Sequence, residues 1–278
     1  MLEIILEYAI IYMFERYFLD RHERTFGGIR MRRNNYDRNR DYPHPSYDAS
    51  EDFLREARGD RGYYGGGRYS GSGELSTAQF NLLIGVILLF GLFLNYLMAK
   101  YCTEYFININ PVVLIIGYLV LGFVGIGISN TSDNPFISFI GYLMVVVPTG
   151  VLISIFVAGE EGAVILNAIL TTIGVTVVMI IAGQIFPGVF MSIGRALVIA
   201  LFALIVVEII ILIAGWSEPG FVDIIAALIF SGLIGYDWAI AQSRPHTVDG
   251  AVDACAGLYL DVINLFLRIE SSSSRRRK

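Results

Sequence analysis

Apolar positions in this chain come as long, nearly uninterrupted runs separated by short polar breaks. They lie at about Phe80 to Ala99, Val112 to Ser129, Phe136 to Val157, Ala163 to Ile185, Ile193 to Ala214, Phe221 to Ala241 and Ala254 to Ile269. A helix of about twenty apolar residues crosses a hydrocarbon core of ~30 Å, so each run predicts a membrane span. Backbone groups in lipid must bond within their own segment, which makes every span a helix. The expected fold is all-α: a polytopic membrane protein with a seven-transmembrane helix bundle over residues 78–269 and a basic tail at 270–278.

The beginning of the chain follows a different pattern. Residues 1–19 alternate apolar positions with Glu3, Glu7 and Glu15, which project to one side of a helix. This reads as an amphipathic helix, lying in the membrane plane or on a partner, or docked beneath the membrane domain. It has neither the basic start nor the small-residue cleavage site of a secretory signal. Over 20–77 the composition turns to Arg, Asp, Tyr, Gly and Ser, densest at Arg30-Met31-Arg32-Arg33 and at Tyr63 to Arg68. Such a segment buries too little apolar surface to fold alone and reads as a disordered cytoplasmic tail.

Composition agrees with the pattern: 55% of the 278 residues are hydrophobic and the mean hydropathy is +0.62, beyond an ordinary soluble domain. The formal charge of -5 conceals an asymmetry, because basic residues crowd into the first eighty positions and the tail. Arginines just before the first span put the N-terminus in the cytoplasm. Glu104, Glu160, Glu161 and Glu218 then fall in outer loops, as an acidic rim that draws cations or as a solvated surface. An odd number of spans sends Arg275 to Lys278 outside, against the same rule. Either the tail breaks the rule or the last helix stops short of crossing.

Several chemistries are unsupported. The Gly/Tyr/Arg piece has no RNA-binding fold around it, so no nucleic-acid partner is expected. Cys102 and Cys255 form no disulfide framework or zinc pattern. His22, His44 and His246 are scattered, and serines within the spans have no histidine base. No enzyme and no cofactor is expected. Gly122, Gly125 and Gly127, inside an apolar helix, serve helix packing rather than nucleotide binding. Asn81, Asn95, Asn167, Thr171 and Thr172 are expected to form interhelical hydrogen bonds.

The informative residues are acids at membrane depth, which usually face protein, a partner or water. If Asp253 caps the last helix, Asp261 lies about 8 residues, ~12 Å, inside it, and Asp237 about 5 residues, ~8 Å, from the same end. Tilt absorbs such a difference, so the two carboxyls can meet. At contact distance they cannot both ionise cheaply, and one proton is shared. A rise in pH, or a divalent cation, breaks that sharing and lets calcium bind. Asn264, a turn beyond Asp261, can add an oxygen ligand. Two aspartates and an amide fall short of the six to eight oxygens of a tight calcium site, so binding is weak and passable. In the alternative, each Asp bonds its own neighbours and holds the register of the bundle. Glu208, ~20 Å along its helix from Arg195, is a pathway acid or a packing residue bonded to a hydroxyl.

The strings Gly235-Tyr236-Asp237 and Leu258-Tyr259-Leu260-Asp261-Val262-Ile263-Asn264-Leu265-Phe266, at the end of a seven-segment chain, resemble the Bax inhibitor-1 family. Gly141, Pro148-Thr149-Gly150 and the small, polar stretch Asn167 to Thr172 add to the likeness. It covers about Ala78 to Ile269. The resemblance implies a central last helix surrounded by six others, and a pH-dependent calcium leak gated by Asp237 and Asp261. It also implies an arginine from the second span holding the pair, as in some bacterial members. Val112 to Asn130 contains no basic residue, which leaves Arg195 and Arg244 as candidate latch partners. The leading expectation is a pH-sensitive calcium leak in a bacterial cell membrane, handling calcium and protons. The alternative is a non-conducting scaffold that modulates a membrane protease or stress-response partner through the N-terminal tail.

Overall fold

Ser76 starts the first membrane helix by a reciprocal cap: its hydroxyl accepts from the Gln79 backbone N–H, while the Gln79 side chain accepts from the Ser76 backbone N–H. In the computed structural model, which describes residues 75–217 and 219–275, this helix is α1 (Thr77–Tyr101). It is followed by the single turn α2 (Thr103–Phe106), α3 (Pro111–Thr131), α4 (Pro135–Phe156), α5 (Gly162–Ile185), α6 (Pro187–Ala214), α7 (Gly220–Ser243) and α8 (Val248–Arg275). The expected N-terminal helix at 1–19, residues 20–74 of the tail expected at 20–77 and residues 276–278 of the basic tail expected at 270–278 lie outside the described residues; Ser76 and Thr77 belong to the start of α1, and residues 270–275 to α8.

Helix ends fall where local chemistry puts them. Pro135 and Pro187 begin α4 and α6 at the position where a missing N–H is tolerated. Gly215, at φ +66, closes α6 in the left-handed conformation. Six helices, α1 and α4 to α8, are long and apolar enough to span a membrane, and α3 adds a shorter apolar stretch, Val113–Ser129. Large apolar side chains such as Leu82, Ile173, Ile199 and Phe202 face outward. That surface suits lipid, and the protein is an integral, multi-pass membrane protein.

The long helices alternate in direction. One face of the bundle, here called proximal, carries the start of α1 and the α7–α8 turn, joined where the Leu75 N–H donates to the His246 carbonyl at 2.7 Å. The α3–α4 corner is pinned there as well. The Ser129 hydroxyl donates to Asp253 at 2.6 Å, and the Ser138 hydroxyl to Asp249 at 2.6 Å. The opposite, distal face carries the end of α8, where Ser274 donates to Glu160 at 2.9 Å.

Helix α8 runs down the middle, packed on α1, α3, α4, α5 and α7. Every residue from Cys255 to Arg268 is buried. Helix α6 packs chiefly on α7, so the expected ring of six is lopsided: α6 packs far less on the central helix, which it meets at an ion pair described below. At 28 residues, or about 42 Å, α8 is far longer than the Ala254 to Ile269 span expected. Its ends carry Asp249, Asp253, Ser271 and Ser274, which protein partners satisfy, so hydropathy does not mark them. Asp253 accordingly bonds Ser129 from within the helix rather than capping it. The last helix also runs the full length of the bundle, which puts Arg275 on the distal face.

Close crossings rest on glycine. A Cβ on Gly125 of α3 would stand 2.5 Å from the Gly141 carbonyl oxygen of α4, whereas one on Gly127 would meet nothing. Gly183 of α5 meets Gly235 of α7 in the same way, at 2.5 Å. Leucine at 125 must push α3 and α4 apart, at a cost of about 1–3 kcal/mol. Gly125→Leu is expected to lower the melting temperature of the detergent-purified protein well below that of Gly127→Leu; equal melting of the two would contradict the crossing.

Candidate functional site

Helices α7 and α8 form an antiparallel hairpin whose register can be counted from one contact. Ser271 donates to Asp223 at 3.3 Å, so these positions are level. Fourteen residues along each helix, Asp237 is level with Gly257. Asp261 then lies one turn, ~6 Å, further towards the distal face. Asp261 is wholly buried and Asp237 half-buried.

Periodicity orients both towards the hairpin interface. Asp223 faces α8 through its contacts, and Asp237, fourteen residues on, returns to within about 40° of the same side of α7. Arg268 faces Asp223, and Asp261, seven residues earlier, lies within about 20° of Arg268 on α8. The two acids therefore sit on facing sides of adjoining helices, about one turn apart in depth.

The other expected residues are distributed as follows. Asn264 is buried, and its amide donates back to the Leu260 carbonyl at 2.8 Å. Arg195 lies on the outer surface of α6, and Arg244 follows α7 at the proximal face, half-buried. Asn81 and Asn95 do bridge helices: Asn81 accepts from Gln242 at 2.8 Å, and the Asn95 amide donates to the Tyr259 hydroxyl. Thr172 instead bonds the Ala168 carbonyl of its own helix, while Asn167 and Thr171 face outward. Of the outer-loop acids, Glu160 accepts from Ser274, Glu161 is exposed, and Glu218 lies outside the described residues.

A second polar layer surrounds the middle of α8. Tyr142 of α4 donates to the Ile87 carbonyl of α1 at 3.1 Å and meets the Tyr259 ring edge-on at 5.8 Å. Pro148 leaves α4 without one internal bond, and the adjacent Thr149 hydroxyl bonds the Val145 carbonyl at 2.7 Å. Gly91 and Gly150 give these side chains room: a Cβ there would stand 2.2 Å from the Tyr142 hydroxyl oxygen and 2.7 Å from Asn95 Oδ1.

The feature that sequence reasoning missed is a buried ion network at the distal end. Arg268 of α8 pairs with Glu208 of α6 at 2.5 Å and with Asp223 of α7 at 3.5 Å. Arg275 also pairs with Asp223, at 3.0 Å, and donates to the Ser271 hydroxyl at 3.1 Å. Glu208 is thus a counter-ion of Arg268. An available signal was Arg268 itself, a charge inside the same apolar helix as Asp261. Among the described residues, no three His, Cys, Asp or Glu side chains gather into a group able to hold a metal ion.

Residues 76–272 match the family model described as inhibitor of apoptosis-promoting Bax1. The chain belongs to this Bax-inhibitor family. No curated protein and no solved structure matches it. The family match takes in Asp237, Asp261, Glu208, Asp223 and Arg268, and stops short of Arg275.

Removing one partner of a buried pair costs far more than removing an exposed one. Arg268→Ala strips a guanidinium, 1% exposed, from two buried acids and is expected to destabilise this Bax-inhibitor family protein by about 3–5 kcal/mol. Arg275→Ala, at a side chain 32% exposed, should cost about 1 kcal/mol or less. Unfolding in mixed micelles measures both, and equal losses would remove Arg268 from the centre of the network.

Proposed function

We propose that this Bax-inhibitor family membrane protein is a pH-sensitive calcium leak channel whose gate is the pair Asp237 and Asp261. One observation carries the reading: a wholly buried carboxyl, Asp261, in the middle of the central helix, with Asp237 about one turn away on the facing side of the neighbouring helix. Charge at that depth is expensive unless it serves a pathway or a partner. Two carboxyls within a turn of each other can share a proton when their side chains lean together.

The sign of the pH effect follows from that sharing. At low pH the shared proton ties α7 to α8 and the path is closed. As pH rises both groups ionise, repel each other and present oxygen ligands to calcium. With two acids, and Asn264 turned to its own backbone, the site is weak, which suits passage rather than storage. Arg195 and Arg244 are not required for this gate. The reading involves no cofactor and no catalytic step. It takes the host membrane as a bacterial cell membrane, with the proximal face cytoplasmic because the arginine-rich segment joins α1 there.

The full chain in calcium-loaded liposomes should leak calcium increasingly as external and internal pH are raised together. Asp261→Asn and Asp237→Asn should each flatten that pH profile, since an amide neither shares nor releases the proton. Parent-like profiles in both variants reject the gate. A parent that leaks nothing favours the non-conducting scaffold for a membrane protease or stress-response partner.

A further inference from the structure

Asp237 stands between two aromatic residues, Tyr236 and Trp238. At ~100° per residue these flank it on either side of α7, and Gly235 falls on the face opposite. Since Asp237 is turned towards α8, the other three meet the helices behind. The Trp238 indole N–H donates to the Gln184 side-chain oxygen of α5 at 2.9 Å. A Cβ on Gly183 of α5 would stand 2.5 Å from the Gly235 carbonyl oxygen, a Cβ on Gly235 would run into the Phe190 ring of α6, and one on Gly194 of α6 would run into the Tyr236 ring.

Gly183 and Gln184 end α5, and Phe190 and Gly194 belong to the first two turns of α6 after Pro187. All four contacts therefore come from one place, the α5–α6 corner, which closes round the back of α7 at the level of Asp237. Packing of this kind holds α7 against the corner. The bond from Trp238 is directional, and it fixes how far α7 is turned about its own axis. Trp238 is only 7% exposed, so its N–H depends on this partner. The turn of α7 matters to the aspartates, because a rotation of about 20° moves a carboxyl ~6 Å from the helix axis by ~2 Å. That is enough to make or lose a hydrogen bond.

We propose that Trp238, held by Gln184, is the positioning residue of the gate: the bond keeps α7 turned so that Asp237 faces Asp261, and it thereby sets the pH at which the leak opens. The inference rests on the channel reading above. It assigns control of the aspartate pair to the α5–α6 corner, which touches α7 on the side away from α8.

The test measures calcium efflux from liposomes against pH for the full-length parent, Trp238→Phe, Gln184→Leu and the double variant. Phenylalanine keeps a ring and loses the donor, and leucine at 184 loses the acceptor. Without the bond α7 turns more freely, the two carboxyls share a proton for less of the time, and the leak opens at lower pH. Each single variant should lower the midpoint by about half a pH unit to one unit, the scale on which one neutral hydrogen bond biases a protonation. The double variant should shift no further than either single one, because both act through the same bond. In an Asp237→Asn background, Trp238→Phe should leave the flattened profile as it is. A purely structural role raises the leak at every pH without moving the midpoint, or gives additive shifts; either result, or no change, overturns the proposal. If Trp238→Phe does not stay monodisperse, Gln184→Leu, at an exposed position, decides, and an unmoved midpoint overturns it. A leaking parent with unmoved variants removes only the role of Trp238, whereas a parent that passes no calcium removes the channel reading with it.

Discussion

The constraint on which this structure depends is that charge may enter the membrane interior only in company. Arg268, Glu208 and Asp223 are all buried, on three different helices. Each alone would cost several kcal/mol at that depth, and together they are tolerated only with α6, α7 and α8 held in one arrangement. The network therefore fixes the distal ends of these helices relative to one another. The same contacts set the register of the α7–α8 hairpin, and that register decides how far apart Asp237 and Asp261 lie. The position of the candidate gate is a consequence of the ion pairs beyond it.

Helix α8 inverts the usual distribution of polarity in a membrane bundle. The surrounding helices are apolar almost all round, so their outer sides can meet lipid. The central one is buried at every residue from Cys255 to Arg268, with Asp261, Asn264 and Arg268 covered by protein. Such a helix can hold aspartate, arginine and serine without exposing them to hydrocarbon. The surrounding helices approach closely at glycine, as where α3 meets α4 at Gly125 and Gly141, and α5 meets α7 at Gly183 and Gly235. Backbone-to-backbone packing of this kind replaces the hydrophobic drive that lipid does not supply.

Much of this was legible from apolar runs, because a lipid-facing helix must advertise itself by hydropathy. The ends of α1, α4, α5 and α7 fall within a few residues of the expected ones. Helix α6 begins earlier because Pro187 is a permitted first residue, and α8 overruns at both ends because buried polar residues with partners look like loop to a hydropathy count. The two aspartates were legible for the same reason that Arg268 should have been: all are charges inside apolar sequence. Its partners were not legible. Glu208 lies sixty residues earlier and Asp223 forty-five, and local spacing relates neither to position 268. A search for a cation near Glu208 along its own helix reaches Arg195, which faces outward, while the true counter-ion comes from the helix beside it.

Of the four basic residues at the end of the chain, Arg275 is held by the same network. Counting positive charges treats Arg275 as a free marker of the cytoplasmic side, and an odd number of spans then puts it on the wrong side. In the fold Arg275 is paired with Asp223 and donates to the Ser271 hydroxyl, while its side chain stays 32% exposed. Its place on the distal face follows from the length of α8 and from where Asp223 waits for it. Packing against the earlier helices sets the course of the last one, and its terminal arginine is accommodated by the acids already there.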